Sequence, residues 1–124
     1  MQNRIREWLE KAAKPQERDL TMTFPEYTAR FPELGFYGLA GHTRTPRDVL
    51  QQARDAEALG IGNLMISERA DYKEISAICG ALAAVTENIF IGTSATNLNT
   101  RHPNITASVG STLNRLSEGR FELG

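Results

Sequence analysis

The strongest constraint on the fold of this chain is a plan that repeats along it. A short apolar run is followed by a loop, an amphipathic helix with a stop signal, and then the next apolar run. The runs lie at residues 34–39, 63–67, 89–93 and 120–123, and their starts are separated by roughly the 30 residues of a βαβ unit. Connections of this length allow neighbouring strands to run parallel. The pattern therefore predicts an α/β fold of four parallel strands joined by helices.

The three helices between the runs have recognisable ends. Thr45 and Pro46 supply a capping hydroxyl and a first-turn proline, and Gly60 ends the first helix. The second covers about residues 72–87, and the third covers residues 103–119. An apolar stripe on each helix predicts the side that faces the sheet. The stripes consist of Val49, Leu50, Ala53, Ala56 and Leu59, then Ile75, Ile78, Cys79, Leu82 and Val85, and finally Ile105, Val109, Leu113 and Leu116.

A doubly wound open sheet and a (β/α)8 barrel share this local pattern, because both stack right-handed βαβ units. The sequence has no G-x-G-x-x-G after the first run and no G-x-x-x-x-G-K phosphate loop, which disfavours a nucleotide-binding open sheet. The 124 residues are too few for a complete barrel of roughly 250. We therefore expect residues 34–124 to form the first half of a (β/α)8 barrel. Residues 1–33 are expected to form a helical extension and arm, with Trp8 as its packing anchor.

Composition excludes several classes of function. Hydrophobic residues make up 40% and charged residues 23%, as in ordinary folded domains. The net charge of -1 and the scattered Lys and Arg residues argue against nucleic acid or an anionic membrane as a partner. The longest nearly apolar stretch is about half of a bilayer span, and no secretory signal is readable, so a cytoplasmic location is expected. A single Cys79 and two distant His residues predict neither a disulfide nor a metal site.

The loops that follow the strands are where a parallel α/β protein carries its chemistry. In the first loop, His42 could act as a general acid or base, although a lone His is more often a hydrogen-bonding loop residue. In the second, Glu68 and Arg69 could position a substrate, but pairing with each other at the surface is favoured. The third loop, residues 92–103, is rich in hydroxyls, amides and small residues. It suits a planar ligand and, equally, a solvated turn that caps the next helix.

Four stretches of this sequence carry a family resemblance. They are GFYGLAGH at residues 35–42, ISER at 66–69, ATNLNTRHP at 95–103 and LSEGRFELG at 116–124. Together they resemble the luciferase-like monooxygenase superfamily, and within it the coenzyme F420-dependent oxidoreductases. The resemblance covers residues 34–124, in the order of the family's first four strands. The T-R-H-P motif and the L-S-x-G-R-F-x-L-G motif at this separation are its most specific part.

The resemblance implies a barrel that holds coenzyme F420, or alternatively FMN, at its C-terminal mouth. A hydride would pass between the cofactor and a small-molecule substrate. By the same resemblance Ser94 and Ala95 lie in a bulge that backs the ring, often through a cis peptide bond. Asn97 would bind the edge of the ring, and Glu68 would be a further cofactor contact. These assignments are implied by the family and not by spacing.

The resemblance also has departures. Arg69 stands where many deazaflavin enzymes have a catalytic His, and a guanidinium can bind an anion but cannot shuttle protons. The catalytic candidates are therefore His42, Glu68 and Arg69. Further cofactor groups of the family follow the fourth strand, beyond Gly124, so we expect this chain to hold only part of the site.

Two other functions remain open at this point. A non-enzymatic half-barrel could pair with a copy of itself or with a complementing second half to cover its open strand edges. An open-sheet ligand-binding or regulatory domain is the third interpretation, and the order of the strands distinguishes it from a barrel.

Overall fold

The structure, a computed structural model, describes residues 29–41 and 44–124. In these residues strands and helices alternate along the chain. No helix within them is long and apolar enough to cross a membrane. The extension expected at the start of the chain lies, up to residue 28, outside the described residues. The elements are β1 (Phe31–Tyr37), α1 (Asp48–Leu59), β2 (Ile61–Ile66), α2 (Ile75–Val85), β3 (Phe90–Thr93), a 3-10 turn (Leu98–Thr100), α3 (Pro103–Leu116) and β4 (Phe121–Glu122).

The four strands form one parallel sheet in the order β1-β2-β3-β4. Each strand therefore lies beside the next one in sequence. A doubly wound sheet reverses direction, so that later strands lie on the other side of the first. The consecutive order is that of a (β/α)8 barrel, and the predicted fold class is confirmed. The open-sheet interpretation is wrong.

The core lies between the sheet and the helices. Phe36, Leu64, Ile91 and Phe121 are in register across the four strands, and the last three of them are buried. From α2, residues such as Leu82 pack onto this row with no exposed surface. Fully burying a side chain of this size contributes about 1.5–3 kcal/mol, so this interface stabilises the fold.

The predicted stripe of α3 is partly wrong. Leu113 is buried as expected, but Ile105 and Leu116 are 55% and 52% exposed, and Thr106 is buried instead. The helix turns its smaller residues to the sheet, where Gly110 lies close to the side chain of Leu123. Small residues let the helix approach closely, and this displaces the larger apolar ones to its flank. In α1 the predicted stripe holds except at its end, where Leu59 is exposed.

Strand β1 begins at Phe31, three residues before the start of the predicted run, and it ends at Tyr37, two residues before the end of that run. It contains Pro32, which a strand at the edge of the described sheet tolerates because one side of its backbone needs no ladder bonds. The pairing with β2 shifts register between Phe31 and Gly35. Asn63 Nδ2 compensates for the irregularity by donating to Pro32 O at 2.7 Å.

Two charged side chains fasten the edge of the sheet at which the strands begin, here called the base. Glu57 Oε1 accepts the backbone N–H groups of residues 87–89, at 2.9 Å from Glu87 and 2.8 Å from Ile89. The buried Arg120 donates to Thr86 O at 2.9 Å and to Ile89 O at 2.8 Å. Burial lowers the pKa of Arg120, and the nearby Glu57 opposes this. The Arg of the G-R-F motif is therefore a structural residue at the base.

Candidate functional site

The strands end at the opposite edge of the sheet, here called the mouth. The second loop, which in the structure covers residues 67–74, meets the third loop there. The third loop covers residues 94–102, because β3 ends at Thr93 and α3 begins at Pro103. Ser94 N–H donates to Ile66 O at 2.8 Å, and Glu68 N–H donates to Ala95 O at 3.3 Å. The first loop joins them, since Gly38 N–H donates to Met65 O at 2.9 Å. The predicted site residues of the second and third loops are therefore neighbours.

One row of residues forms the face of the sheet that points away from the helices, just below the mouth. Tyr37, Met65, Gly92 and Glu122 are in register across the four strands. A Cβ atom at Gly92 would overlap the sulfur of Met65, so only glycine lets that side chain lie across β3. Tyr37 Oη contacts Ser94 Oγ at 3.0 Å. The result is a surface on which the Met65 side chain covers Gly92, edged by the hydroxyls of Tyr37 and Ser94.

The start of the third loop is held firmly from beneath. The peptide bond between Ser94 and Ala95 is cis, as the resemblance implies. The hydroxyls of Thr93 and Thr96, both buried, lie 2.8 Å apart. Thr96 N–H donates to Gly124 O at 2.7 Å, and Gly124 N–H donates to Thr93 Oγ1 at 2.8 Å. Ala95, which follows the cis bond, is exposed at the mouth.

Glu68 binds the third loop with both carboxylate oxygens. Oε2 accepts Asn97 N–H at 2.7 Å and Arg101 Nη1 at 3.1 Å, while Oε1 accepts Arg101 Nη2. These bonds, that from Arg101 above all, lower the pKa of Glu68 against the opposing effect of burial. Its side chain is 8% exposed. The expected pairing with Arg69 is wrong, because the partner is a residue 33 positions further along the chain.

Glu74 and Arg101 are two residues of the site that the sequence interpretation missed. Glu74 caps α2, with Oε2 accepting Ala77 N–H at 2.8 Å and Oε1 accepting Ser76 Oγ at 2.7 Å. Arg101 Nη2 binds the same carboxylate. Burial acts to raise the pKa of Glu74, but the hydrogen bonds outweigh it and hold the pKa at about 2. Glu is not among the residues favoured at an N-cap, so the sequence around Glu74 gave no capping signal.

Lys73 is a second group that sequence reasoning missed. It lies in a polar stretch, yet it is buried, and Nζ donates to Leu39 O at 3.3 Å and to Ser67 Oγ at 3.2 Å. Burial lowers its pKa, and the like charge of Arg69 adds to the effect. Leu39 adopts a left-handed conformation with φ of 55°. Lys73 therefore ties the turn at the start of the first loop to the end of β2.

The other predicted residues have varied surroundings. Asn97 Oδ1 accepts Asn99 N–H at 3.1 Å and caps the 3-10 turn. His102 fixes the end of the third loop, since Nδ1 accepts Asn104 N–H at 3.2 Å at the start of α3. The side chain of Arg69 is exposed, and its backbone pairs with that of Lys73. His42 lies outside the described residues.

Cys79 is a core residue, as expected. It has no exposed surface, and burial raises the pKa of its thiol to about 12, so it is not a nucleophile at neutral pH. Among residues 29–41 and 44–124, no group of three or more His, Cys, Asp or Glu side chains is arranged to hold a metal ion.

Comparison with known proteins places this sheet and its loops in a family. The family model described as luciferase-like monooxygenase matches residues 25–124. The chain belongs to the luciferase-like monooxygenase family. A 5,10-methylenetetrahydromethanopterin reductase of Methanolobus tindarius is 36% identical over 76 residues, which are 61% of this luciferase-like chain and 23% of that protein.

Two solved structures resemble this luciferase-like chain. The coenzyme F420-dependent tetrahydromethanopterin reductase of Methanopyrus kandleri matches with a TM-score of 0.65 at 30% identity, over 73% of this chain and 26% of that one. The oxygenating constituent of 3,6-diketocamphane monooxygenase of Pseudomonas putida, a type II Baeyer-Villiger monooxygenase in complex with FMN, matches with a TM-score of 0.60 at 29% identity. The match covers 73% of this chain and 28% of the monooxygenase chain. The chain spans about a quarter of each relative.

The mouth of this luciferase-like chain offers groups that could hold a flat heteroaromatic ring. Tyr37 and Ser94 offer hydroxyls, Ala95 offers a small exposed side chain beside main-chain atoms, and the Met65 side chain, which lies across Gly92, offers apolar surface. Ligand sites for such rings combine apolar surface with a few fixed polar groups. Arg101 is shared between the carboxylates of Glu68 and Glu74, so it offsets only part of their negative charge.

Proposed function

We propose that this chain forms part of the mouth of an F420-dependent oxidoreductase that works in the cytoplasm, with FMN as the alternative cofactor. When bound, a deazaflavin or flavin would supply a ring atom that either donates a hydride to a small organic substrate or accepts one from it. The observation that carries the proposal is the overlay on the F420-dependent reductase, with a TM-score of 0.65 at 30% identity. The FMN-bound relative supports the alternative at a similar level.

The residues of the mouth divide the binding between them. Ser94 and Ala95 back the ring with main-chain atoms and small side chains. Asn97 donates from its amide nitrogen to the ring edge, because its amide oxygen already accepts the Asn99 N–H. Arg69 is an exposed cation in the second loop, and it would contact an anionic part of the cofactor or substrate.

Proton transfer falls to a residue other than Glu68. The lowered pKa of Glu68 keeps it ionised at neutral pH, and both of its oxygens are hydrogen-bonded within the protein. It therefore cannot serve as a general acid there. Arg69 carries a guanidinium, which can bind an anion but does not shuttle protons. Of the three predicted candidates, His42 is the one whose chemistry suits the role, and it follows the turn that Lys73 holds.

The test is a fluorescence titration of coenzyme F420 and of FMN against the 124-residue chain and against a fusion. In the fusion the chain replaces the matching quarter of the Methanopyrus kandleri reductase, which supplies the rest of the mouth. We expect the fusion to bind F420 more tightly than FMN. A cooperatively folded fusion that binds neither cofactor would overturn the proposal.

A pair of matched variants shows whether binding uses this mouth. Ala95→Trp fills the space beside the cis bond and should abolish binding. Ala81→Trp adds the same side chain to the exposed side of α2 and should leave binding unchanged. Equal affinities of the two variants would contradict the placement of the ring.

The strand edges favour a second candidate function, a half-barrel that associates with a copy of itself. In the described part of the chain β1 pairs with β2 alone, and its Leu34 and Tyr37 are about half exposed. A groove of about 390 Å³ runs beside it, with Phe36, Ile61 and Leu59 in its lining. Open strand edges next to apolar surface promote pairing between chains. Sedimentation velocity over a range of concentrations should show a dimer, and a concentration-independent monomer would exclude this function.

A further inference from the structure

Three charged side chains cross-link the second and third loops at the mouth. Arg101, at the end of the third loop, donates to the carboxylates of Glu68 and Glu74, which lie at the two ends of the second loop. Arg101 is 16% exposed and Glu68 8% exposed, whereas Glu74 is 48% exposed. We call these three residues the Arg101 clamp.

We propose that Glu68, Arg101 and Glu74 are positioning residues that hold the third loop in the shape presenting Ser94, Ala95 and Asn97 at the mouth. They set the affinity for the cofactor without touching it. The link to a cofactor rests on the proposed function, whereas the link to the shape of the loop does not.

Glu68 is the centre of the clamp because it holds the third loop at three points. Its N–H donates to Ala95 O at 3.3 Å, and its Oε2 accepts Asn97 N–H at 2.7 Å. The third point is the paired contact with the Arg101 guanidinium. The contacts are with Ala95, which follows the cis bond, with Asn97, and with Arg101 near the end of the loop. Moving Glu68 therefore moves the wall of the mouth.

Arg101 acts through Glu68. A carboxylate as enclosed as that of Glu68 needs a paired cation, since removing one partner of a buried ion pair leaves an uncompensated charge. The guanidinium meets it with two nitrogens, a geometry that a lysine ammonium cannot reproduce. Without Arg101, the carboxylate would turn toward water and release the Asn97 N–H.

Glu74 fixes Arg101 from the other side. Its oxygens are tied to Ala77 N–H and Ser76 Oγ at the start of α2, so the guanidinium is anchored to a helix. Because Glu74 is half exposed, its loss should matter less than that of Arg101. The clamp predicts a graded series of effects, with Arg101→Met largest, Arg101→Lys intermediate and Glu74→Gln smallest.

Amide hydrogen exchange of the 124-residue chain tests the loop directly, because Asn97 N–H is a donor to Glu68. Arg101→Met should speed exchange at Asn97 by roughly tenfold to a hundredfold, the range for a hydrogen bond to a charged group. Arg54→Met, which removes an exposed arginine from α1, is the matched control and should leave exchange at Asn97 unchanged. Equal exchange in Arg101→Met and the control would overturn the proposal. If Arg101→Met does not fold, Arg101→Lys and Glu74→Gln give the same comparison.

The cofactor link is tested by titrating coenzyme F420 and FMN against the same variants at a temperature where each is fully folded. We expect affinity to fall in the order of the exchange rates, and not in the order of the unfolding temperatures. A loss of affinity that follows unfolding temperature alone would overturn the positioning role. If the unsubstituted chain binds neither cofactor, in the chain or in the fusion, the proposed function and the cofactor link fail together. Fast exchange in Arg101→Met would then still support the clamp as a lock on the loop.

Discussion

Tyr37 Oη lies 3.0 Å from Ser94 Oγ, so a hydrogen bond joins the last residue of β1 to the first residue after β3 and passes over β2. Tyr37 supplies its hydroxyl from β1, whereas Ser94 is the first residue of the cis bond. Because this bond crosses the mouth, it belongs to the proposed cofactor surface as well as to the fold.

Replacing Tyr37 by Phe removes this hydrogen bond and keeps the ring. Since Tyr37 is about half exposed, we expect the free energy of unfolding to fall by only about 0.5 kcal/mol, at the low end for a neutral hydrogen bond. The affinity for F420 should fall more than this change in stability implies. Tyr72→Phe is the control, because its hydroxyl is 3.5 Å from Gly41 O and contributes less. Urea unfolding and cofactor titration check both, and a larger effect in Tyr72→Phe would contradict the assignment.

The Arg101 clamp predicts a loss of stability in acid. The pKa of Glu74 lies at about 2, below its ordinary value of 4.5, and the pKa of Glu68 is lowered as well. A carboxyl whose pKa is lower in the folded state stabilises the fold above its unfolded pKa, and loses that contribution as pH falls through the folded one. The free energy of unfolding should therefore decline between pH 4.5 and about 2. Chemical denaturation at several pH values checks this, with Glu74→Gln expected to show a shallower decline. A slope unchanged by Glu74→Gln would refute it.

Glu57→Gln tests the fastening at the base. Gln keeps an oxygen for the N–H groups of residues 87–89 but loses the charge, and hydrogen bonds to charged groups contribute about 1.5–3 kcal/mol. We expect a loss of stability at the lower end of that range with no change in cofactor affinity. Asp55→Asn, which alters an exposed helical contact with Gln51, should change stability by about 0.5 kcal/mol or less. Similar losses in both variants would show that Glu57 does not fasten the base.

Replacing each of two glycines by alanine should change the free energy of unfolding in opposite directions. A Cβ atom at Gly38 would lie 2.7 Å from Ile66 Cδ1 and 2.9 Å from Val49 Cγ2, so Gly38→Ala overpacks the core and should cost about 1–3 kcal/mol. A Cβ atom at Gly80, inside α2, meets only Leu113 Cδ2 at 3.9 Å. Gly80→Ala should therefore stabilise the fold by about 0.5–1 kcal/mol, because alanine favours the helix. Thermal unfolding of both variants decides the matter, and a destabilised Gly80→Ala would count against the packing described.

Much of the fold could be predicted because it depends on residues that are close together in the sequence. The spacing of the apolar runs predicted that the strands are parallel, and Gly60 ends α1 in a left-handed conformation with φ of 79°, as its position predicts. The polar loops after the strands could be assigned to one edge, since parallel strands end on the same side. His102 and Cys79 were likewise interpretable from their immediate neighbours. Strand β1 was harder, because Pro32 and the register shift hide its beginning.

The candidate site could be predicted less well, because its contacts are between residues distant in sequence. The partner of Glu68 lies 33 residues away, and adjacency pointed to Arg69 instead. Lys73 is charged and surrounded by polar residues, so nothing in its neighbourhood indicated burial. The exposure of Ile105 and Leu116 depends on how closely α3 approaches the sheet, which hydrophobic periodicity does not specify.

The fastening at the base has a consequence for how such a protein can change during evolution. Glu57 and Arg120 hold backbone N–H and C=O groups, which every substitution except proline at an N–H preserves. Neighbouring side chains at the base can therefore be substituted while the spacing of the strands is kept. New specificities can thus be tried at the opposite end, residue by residue, on a foundation that does not depend on them.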